Sequence, residues 1–306
     1  TIESRNTEGW SKIQGEFWRA GGIAPGLELK NVLPRFTEEA ISVIEHHEEK
    51  SADQPLFLYL AYPAPHTPWL PAKQFRGQSG AGMYGEFTMM VDHMIGRVLK
   101  ALKKANMADD TLVIFSSDNG PVWYESDVER FDHDSSGGLR GMKADAWECG
   151  HRMPFIVRWP GNVTAGTVND RLICFTDLLA TFGELVGKEL SEDAGPDSIS
   201  FYKTLTGQSE PDRPTLVIKS SSGAMTARQG PWKLITELGS GGFSKPSRIK
   251  PTRGGPVGQL YNLDDDIGET NNLYDQKPEI VAKISAELKR IQDSSASRTL
   301  GHQNRQ

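Results

Sequence analysis

The sequence predicts an α/β domain with a mixed sheet over residues 1–195 and a small α+β domain over residues 196–306. Apolar runs of strand length alternate with helical periodicity up to about residue 190, a pattern typical of α/β domains. Residues 191–214 then turn to Gly, Pro, Ser and Asp, which indicates a domain boundary. Beyond this boundary, short strands at hairpin spacing precede one amphipathic helix, which predicts an antiparallel sheet covered by that helix.

The first elements of the α/β domain follow an irregular start. Residues 1–35 are rich in Gly, with scattered aromatic residues among charges, and predict a surface loop. Thr37 is expected to cap a helix that runs to Lys50, since Glu38 and Glu39 suit the positive end of a helix. The opening residues include neither an initiator Met nor an apolar leader run, so we expect the chain to start in mid-protein.

A strand, a helix and a second strand are predicted next. Residues 56–62 and 112–115 are apolar runs of strand length. Between them, apolar residues recur every three or four positions over 87–102, which predicts an amphipathic helix. Because a helix connects the two strands, we expect a βαβ unit with parallel strands. The carboxyl ends of both strands would then share one edge of the sheet.

The remaining elements complete the two domains. A strand at 155–160 and a helix at 178–186 are expected to close the first domain. The second domain is predicted to contain strands at 215–220, 231–236 and 259–262, and a final helix at 278–291. Asp264, Asp265 and Asp266 indicate a solvated turn between them, and the tail from Ser294 is expected to fray.

The composition describes a globular protein and excludes several function classes. Apolar residues make up 37% and charged residues 24% of the 306 residues. The net charge of −6, without a long basic stripe, argues against nucleic-acid binding. No apolar run reaches the length of a transmembrane helix. Only Cys149 and Cys174 are present, so a disulfide framework is not used and both are expected to be buried thiols.

Two segments that follow the predicted strands carry candidate site residues. Asp118, Asn119 and Gly120 come directly after the strand at 112–115, and their carboxylate and amide oxygens suit a hard cation such as Ca²⁺ or Mg²⁺. The same three residues also make an ordinary turn. His66 lies among three prolines that would hold it in place, although a proline-rich loop with an incidental histidine explains it equally well. A shared sheet edge would bring the two segments together.

The segment at 121–153 contains many polar and aromatic residues and lacks clear periodicity. Long loops inside compact domains are usually functional or disordered. Its glycines and aromatic residues favour an ordered loop close to a site.

Five blocks of the sequence together resemble the type I sulfatases, the arylsulfatase A-like members of the alkaline phosphatase superfamily. The blocks occur in order over residues 32–291: LYLAYPAPHTPWLPA, VIFSSDNGP, LRGMKADAWECGHRMPFIVRWPG, GPWKLI and QLYNLDDDIGETNNL. The resemblance implies the α/β sandwich of that superfamily, followed by a small C-terminal domain. The second and third blocks together are the most specific part of the match.

The resemblance also implies a reaction and roles for four residues. The implied activity is hydrolysis of a sulfate ester on a small molecule or glycan. Asp118 and Asn119 match the family's second pair of calcium ligands, and Mg²⁺ is an alternative cation. Lys143 matches the lysine that binds a sulfate oxygen. His66 matches the histidine that contacts the sulfate ester, and it could instead protonate the leaving alcohol. The implied compartment is periplasmic or secreted, or lysosomal in a eukaryote.

The sequence departs from the family pattern before the first block. The family nucleophile is a formylglycine made within a Cys/Ser-x-Pro-Ser-Arg motif, and the first pair of aspartate ligands lies earlier still. Neither occurs at the matching position, so we expect about the first third of a family member to lie outside this chain. Ser244 begins a Ser-Lys-Pro-Ser-Arg segment, but Pro251, Gly254 and Gly255 follow it and forbid the helix that the genuine motif opens.

Two other functions remain open at this point. A phosphodiesterase or phosphonate hydrolase of the same superfamily would share the cation and anion site, although such enzymes usually hold two metals with more histidine ligands. A catalytically incomplete binding fragment would explain the missing nucleophile. We expect the 306 residues alone to be inactive and to bind calcium weakly.

Overall fold

The computed structural model describes residues 24–298 except residues 52 and 192. These residues form two compact units: residues 24–111 with 124–134, and residues 112–123 with 135–298. The predicted domain boundary after residue 195 falls within the second unit and stays a prediction. Residues 1–23 of the predicted irregular start, and residues 299–306 of the predicted frayed tail, lie outside the described residues. The start of that tail is not frayed, because Ala296 is 2% exposed and the N–H of Ser297 donates to the Asp197 carboxylate at 2.9 Å. No helix among the described residues is long and apolar enough to cross a bilayer.

Helices dominate the first unit. They are α1 (Val32–Ser51), α2 (Gly82–Lys104) and α3 (Glu125–Phe131). Helices α1 and α2 pack against each other, and exposed ion pairs join them from Arg97 to Glu38 at 2.6 Å and from Lys104 to Glu45 at 2.9 Å. The core of this unit consists of apolar side chains from α1, α2 and the segment between them: Leu33, Trp69, Phe75, Phe87, Met90, Val91 and Met94. The helix predicted at 87–102 is confirmed, with an earlier start.

The predicted cap at Thr37 is wrong, because α1 begins five residues earlier, at Val32. Pro34 lies in the first turn, where no helical partner exists for an N–H, so the proline does not interrupt the helix. Thr37 is buried inside the helix. Its hydroxyl donates to the carbonyl of Leu33 at 3.0 Å and lies 2.8 Å from the hydroxyl of Tyr62, so it joins the helix to the segment beside it.

The βαβ unit predicted from residues 56–62 is not found among the described residues. Residues 55–63 form no strand in the described part of the chain, and Phe57 and Tyr59 are 75% and 82% exposed. The strand at 113–116 instead pairs with a later strand in the antiparallel sense. An apolar run forms a strand only where a neighbour completes its hydrogen bonds, which its own composition does not determine. The predicted shared sheet edge stays a prediction.

The second unit contains two antiparallel sheets. Strands β1 (Val113–Ser116) and β2 (Phe155–Arg158) form the first, with Val113 opposite Arg158 and Ser116 opposite Phe155. The second has the order β3 (Leu216–Lys219), β4 (Met225–Gln229), β5 (Trp232–Ile235) and β6 (Gln259–Asn262). The short helices α4 (Leu178–Leu185) and α5 (Tyr202–Leu205) lie between the two sheets in sequence.

Helix α6 (Pro278–Ser294) packs on the four-stranded sheet, as predicted. Its buried residues Val281, Ile284 and Leu288 recur at three- and four-residue spacing and share a core with Leu234 and Leu260 of the sheet. An antiparallel sheet with one helix on its face therefore matches the expectation for the small domain.

Three elements were not predicted from the sequence: strand β4 and helices α3 and α5. Strand β4 reads Met-Thr-Ala-Arg-Gln and lacks an apolar pattern, although it lies between β3 and β5. Helix α3 has only seven residues within the segment that we expected to be a loop.

Candidate active site

The turn after β1 presents two oxygen-bearing side chains. Asp118 is exposed and Asn119 is half-buried. The Asn119 side-chain NH₂ donates to the carbonyl of Gly120 at 3.0 Å, and this hydrogen bond fixes the orientation of the amide. Among the described residues, no group donates a hydrogen bond to the Asp118 carboxylate or to Asn119 Oδ1. Both oxygens are therefore available to a ligand or to water.

Gly120 joins this turn to the loop at 140–151. Its N–H donates to the carbonyl of Gly150 at 3.2 Å. A Cβ at this position would lie 1.6 Å from the carbonyl oxygen of Cys149, a separation that no side chain tolerates. Glycine is therefore required here, and the reason is the close approach of two backbones. The turn reading and the site reading of this segment are compatible, because the turn fixes where the two oxygens lie.

Lys143 lies on the same loop, beside the turn. Its backbone N–H donates to the carbonyl of Pro121 at 2.8 Å. The side chain is half-buried, and its ammonium group forms no ion pair within the described part of the chain. A partly desolvated, unpaired ammonium group is suited to binding an anion. The structure thus places Asp118, Asn119 and Lys143 on two hydrogen-bonded backbone segments.

Asp145 fixes the backbone around Lys143. The carboxylate is buried and accepts the N–H groups of Met142 at 2.9 Å and of Ser244 at 3.1 Å. A second connection runs from the N–H of Ala146 to the carbonyl of Ser240 at 2.7 Å. The loop at 239–248 therefore supports the Lys143 loop from the side of the small sheet. Sequence reasoning did not single out Asp145, since a lone acid in a polar loop carries no distinctive signal.

A buried ionic cluster anchors the other end of this loop. Lys233 on β5 is 1% exposed and lies 2.9 Å from a carboxylate oxygen of Glu148 and 2.9 Å from one of Glu269. The backbone N–H of Glu148 donates to the second Glu269 oxygen at 2.6 Å. Arg228 and Arg152 contact Glu148 at 3.4 and 3.3 Å. This cluster was not predicted, although a lysine within the apolar strand WKLI is a usable signal.

The cluster shifts the pKa values of its members. Burial raises the pKa of Glu148, but the positive charges of Lys233, His151 and Arg228 outweigh burial and lower that pKa to about 2. Burial, assisted by the charge of Lys233, lowers the pKa of His151 to about 4. His151 Nε2 lies 3.3 Å from Lys233 Nζ and 3.2 Å from the carbonyl oxygen of Ala146. Burial raises the pKa of Glu269.

His66 belongs to the first unit, on a turn that Trp69 holds. The Trp69 indole N–H donates to the carbonyl of Pro65 at 3.1 Å, and Trp69 itself lies in the core of that unit. The exposed His66 ring has Nδ1 2.9 Å from the carbonyl of Thr67. Because a carbonyl only accepts, Nδ1 carries the proton and Nε2 holds the lone pair in the neutral ring. The role of His66 stays a prediction.

Two further expectations concern residues of the second unit. Ser244 starts no helix; its backbone is held by Asp145 and by the Ser240 hydroxyl, which donates to the Ser244 carbonyl at 2.7 Å. Asp266 accepts two N–H groups, from Thr270 at 3.0 Å and Asn271 at 2.8 Å, as expected for a turn. The described residues contain no group of three or more His, Cys, Asp and Glu side chains that could hold a metal ion.

Comparison with known proteins assigns the family. The family model described as Sulfatase matches residues 30–188, slightly more than half of the chain. This chain belongs to the sulfatase family. The matched region contains all four predicted site residues, His66, Asp118, Asn119 and Lys143.

Named relatives extend the match of this sulfatase chain into the small domain. An N-acetylgalactosamine-6-O-sulfatase of Bacteroides thetaiotaomicron is 32% identical over 279 residues, which are 90% of this chain and 53% of the relative. Arylsulfatase A of Bos taurus is 29% identical over 280 residues, 88% of this chain and 52% of that protein. The chain therefore spans about half the length of these relatives.

Solved structures confirm the predicted fold class. A solved structure from work on glycosaminoglycan metabolism by Bacteroides thetaiotaomicron aligns with this chain at a TM-score of 0.76 and 32% identity. The alignment covers 87% of this chain and 55% of that one. A sulfatase from Pseudoalteromonas sp. aligns at 0.72 with 22% identity, over 92% and 57% of the two chains, and shows the fold alone.

Proposed function

We propose that the protein to which this sulfatase chain belongs hydrolyses sulfate monoesters of sulfated carbohydrates. One observation carries the proposal: the N–H of Lys143 donates to Pro121 and that of Gly120 donates to Gly150, at 2.8 and 3.2 Å. These bonds join the backbone segment that carries Lys143 to the one that carries Asp118 and Asn119. A sulfate ester is an anion that needs both a cationic binding group and charge stabilisation during cleavage.

Asp118 and Asn119 are the residues that would hold a calcium ion. Their donor set fits, because a carboxylate and an amide carbonyl are the oxygen ligands that Ca²⁺ and Mg²⁺ prefer. When bound, the ion would supply positive charge next to the sulfate group. Two side chains are fewer than the roughly six to eight oxygens that calcium takes, so other ligands would come from outside this turn.

Lys143 would bind a sulfate oxygen and keep the ester oriented. Its positive charge counters the negative charge that moves to the leaving oxygen as the S–O bond breaks. His66 would contact the ester oxygen through Nε2 and, once protonated, could donate its proton to the leaving alcohol. The nucleophile is expected to be a formylglycine outside these 306 residues.

The carbohydrate substrate is proposed from the relatives. The N-acetylgalactosamine-6-O-sulfatase aligns with 90% of this chain at 32% identity. The structure that aligns at 32% identity comes from glycosaminoglycan metabolism. A periplasmic or secreted location is consistent with such a substrate and is part of the proposal.

The experiment compares sulfate esters and a phosphate ester as substrates of the complete protein. We expect 4-nitrophenyl sulfate and N-acetylgalactosamine 6-sulfate to be cleaved in the presence of calcium, with a higher kcat/KM for 4-nitrophenyl sulfate than for bis(4-nitrophenyl) phosphate. A preference for the phosphate diester would instead indicate a phosphodiesterase or phosphonate hydrolase. Absence of turnover on all three would favour a binding protein.

The 306 residues alone provide the matched control. We expect them to release no sulfate, because the described residues offer no activated nucleophile. Sulfate release by the purified 306-residue chain would contradict this expectation and would support Ser244 as the nucleophile.

A further inference from the structure

The loop that supports the Lys143 segment carries an unusual charge. Residues 238–263 contain four cations, Lys245, Arg248, Lys250 and Arg253, and not one Asp or Glu. Since the whole chain has a net charge of −6, this stretch carries +4 and the remaining residues carry −10. A concentrated positive charge on an acidic protein marks a place where an anion would be attracted locally. We call residues 239–258 the cationic loop.

The backbone of the cationic loop is held by its own hydrogen bonds. The N–H groups of Ser240 and Gly241 donate to the carbonyls of Pro246 and Ser247 at 3.1 and 2.8 Å, and Ile249 donates to Leu238 at 3.1 Å. A loop that is already ordered loses little conformational entropy when a ligand binds to it. Gly239 is required for this course, because a Cβ there would lie 2.7 Å from the Ser247 carbonyl.

Three of the four cations have no electrostatic partner in the described chain. Lys245, Lys250 and Arg253 are exposed and form no ion pair with any described residue. Arg248 differs, because it donates to the carbonyl of Ser222 at 2.8 Å and so fastens the loop. Exposed Ile249 lies between the cations in sequence, so the same surface offers apolar contact beside positive charge. Sugar rings with sulfate groups present both features to a protein.

The cationic loop adjoins the candidate sulfate site. Its residue Ser244 donates to Asp145 at 3.1 Å, and its residue Ser240 accepts from Ala146 at 2.7 Å. Asp145 is two residues from Lys143. A chain of sugars bound with one sulfate at Lys143 could therefore continue along the cationic loop.

We propose that the cationic loop binds additional sulfate groups of a polysulfated glycan, so that the substrate is an oligosaccharide with several sulfates. This inference extends the proposed function at the same site. It can be tested without turnover, however, because the loop would bind sulfate groups whether or not the ester is cleaved.

The test measures binding of a heparin hexasaccharide to the complete protein by isothermal titration calorimetry in EDTA. The variant is Lys245→Gln, Lys250→Gln and Arg253→Gln combined. We expect its affinity for the hexasaccharide to fall about tenfold, since each exposed charge contact contributes modestly. A control with the same loss of charge is Lys188→Gln, Lys203→Gln and Lys283→Gln, three exposed lysines elsewhere in the second unit. This control should keep the wild-type affinity.

Several outcomes would overturn the inference. Wild-type affinity in the cationic-loop variant would show that the loop does not bind the glycan. Equal losses in both triple variants would show that only overall charge matters. Equal affinity for a polyguluronate hexasaccharide, which has carboxylates but no sulfate, or for a DNA of matched charge would refute sulfate recognition. Unchanged thermal unfolding in both variants ensures that each result reflects binding. Failure of the proposed function would appear separately, as absent sulfate release.

Discussion

Lys143 and Lys233 belong to the same compact unit but have opposite surroundings. Lys143 is half-buried and has no acidic partner among the described residues. Lys233 is fully buried, 2.9 Å from each of two carboxylates, Glu148 and Glu269. Both lysines affect the loop at 140–151. Lys143 lies near its start, and Lys233 contacts Glu148 near its end. The unpaired charge of Lys143 is available to a ligand, whereas the charge of Lys233 is neutralised by ion pairs that stabilise the fold.

One loop therefore carries both groups that stabilise the fold and a separate charge that is open to a ligand. The cluster around Lys233 fixes the loop to the small sheet, and Asp145 fixes it to the cationic loop. The backbone hydrogen bond from Lys143 to Pro121 then holds the backbone of Lys143 beside the turn at Asp118. The stability that the cluster provides and the availability of the Lys143 ammonium group are therefore separable properties.

The largest effect on stability is expected for Lys233→Met. Loss of the ammonium group removes the cation that Glu269 contacts and leaves Glu148 with its longer contacts to the two arginines, which costs about 3–5 kcal/mol of unfolding free energy. Lys143→Met makes the same chemical change and should alter stability by less than about 0.5 kcal/mol. Urea unfolding of both variants measures the difference. Similar losses in the two variants would contradict the distinction drawn between the lysines.

Acid should weaken the same cluster. The unfolded chain protonates His151 near pH 6.5, but the folded protein resists until about pH 4, so stability falls as the pH drops between these values. The shift corresponds to about 3 kcal/mol. Glu148 extends the loss, because its folded pKa of about 2 lies below the ordinary 4.5. Urea unfolding between pH 7 and 4 should show a shallower decline in His151→Gln. An identical decline in the wild type would exclude His151 as the cause.

Gly120→Ala should have an intermediate effect and disturb both properties at once. The added Cβ would meet the Cys149 carbonyl at 1.6 Å, so the turn and the loop must separate at a cost of about 1–3 kcal/mol. Gly96→Ala is the matched control, because Gly96 lies within α2 and its Cβ would meet nothing within 4 Å. Thermal unfolding should show the first variant weakened and the second unchanged or stabilised. A neutral Gly120→Ala would refute the close approach.

Asp118→Asn should have the smallest effect on stability. The side chain is exposed and accepts no hydrogen bond from the described residues, so we expect a change within about 0.5 kcal/mol in calcium-free buffer. Calcium should raise the unfolding temperature of the complete wild-type protein and have a weaker effect on the variant. The same calcium-induced shift in both proteins would indicate that Asp118 does not bind the ion.

Periodicity predicted the elements that bury one apolar face. Helices α2 and α6 show it clearly, because their core residues recur at three- and four-residue spacing. Strand β4 was missed because its buried residues include Thr226 and Ala227, which are too small or too polar to form an apolar pattern. The run at 56–62 failed for the opposite reason: its apolar composition says nothing of whether a neighbouring strand exists.

The candidate site was predictable where side chains carry the chemistry and not where backbone contacts do. Asp118, Asn119 and Lys143 were identified from sequence blocks. The hydrogen bonds that bring their segments together run between backbone groups, such as from Lys143 to Pro121. Backbone groups are the same in nearly every residue type, so the sequence does not reveal these bonds. The ionic cluster at Lys233 joins residues 85 and 36 positions apart, a pairing that no local pattern reveals.

The most direct test of the central claim is the effect of Lys143→Met on sulfate release by the complete protein. With 4-nitrophenyl sulfate, kcat/KM should fall about 10²–10³-fold while the free energy of unfolding stays within about 0.5 kcal/mol of the wild type. Lys143→Arg, which keeps the charge, should recover part of the activity. Unchanged activity in Lys143→Met, or a loss that parallels unfolding, would contradict the assignment of Lys143 to the sulfate site.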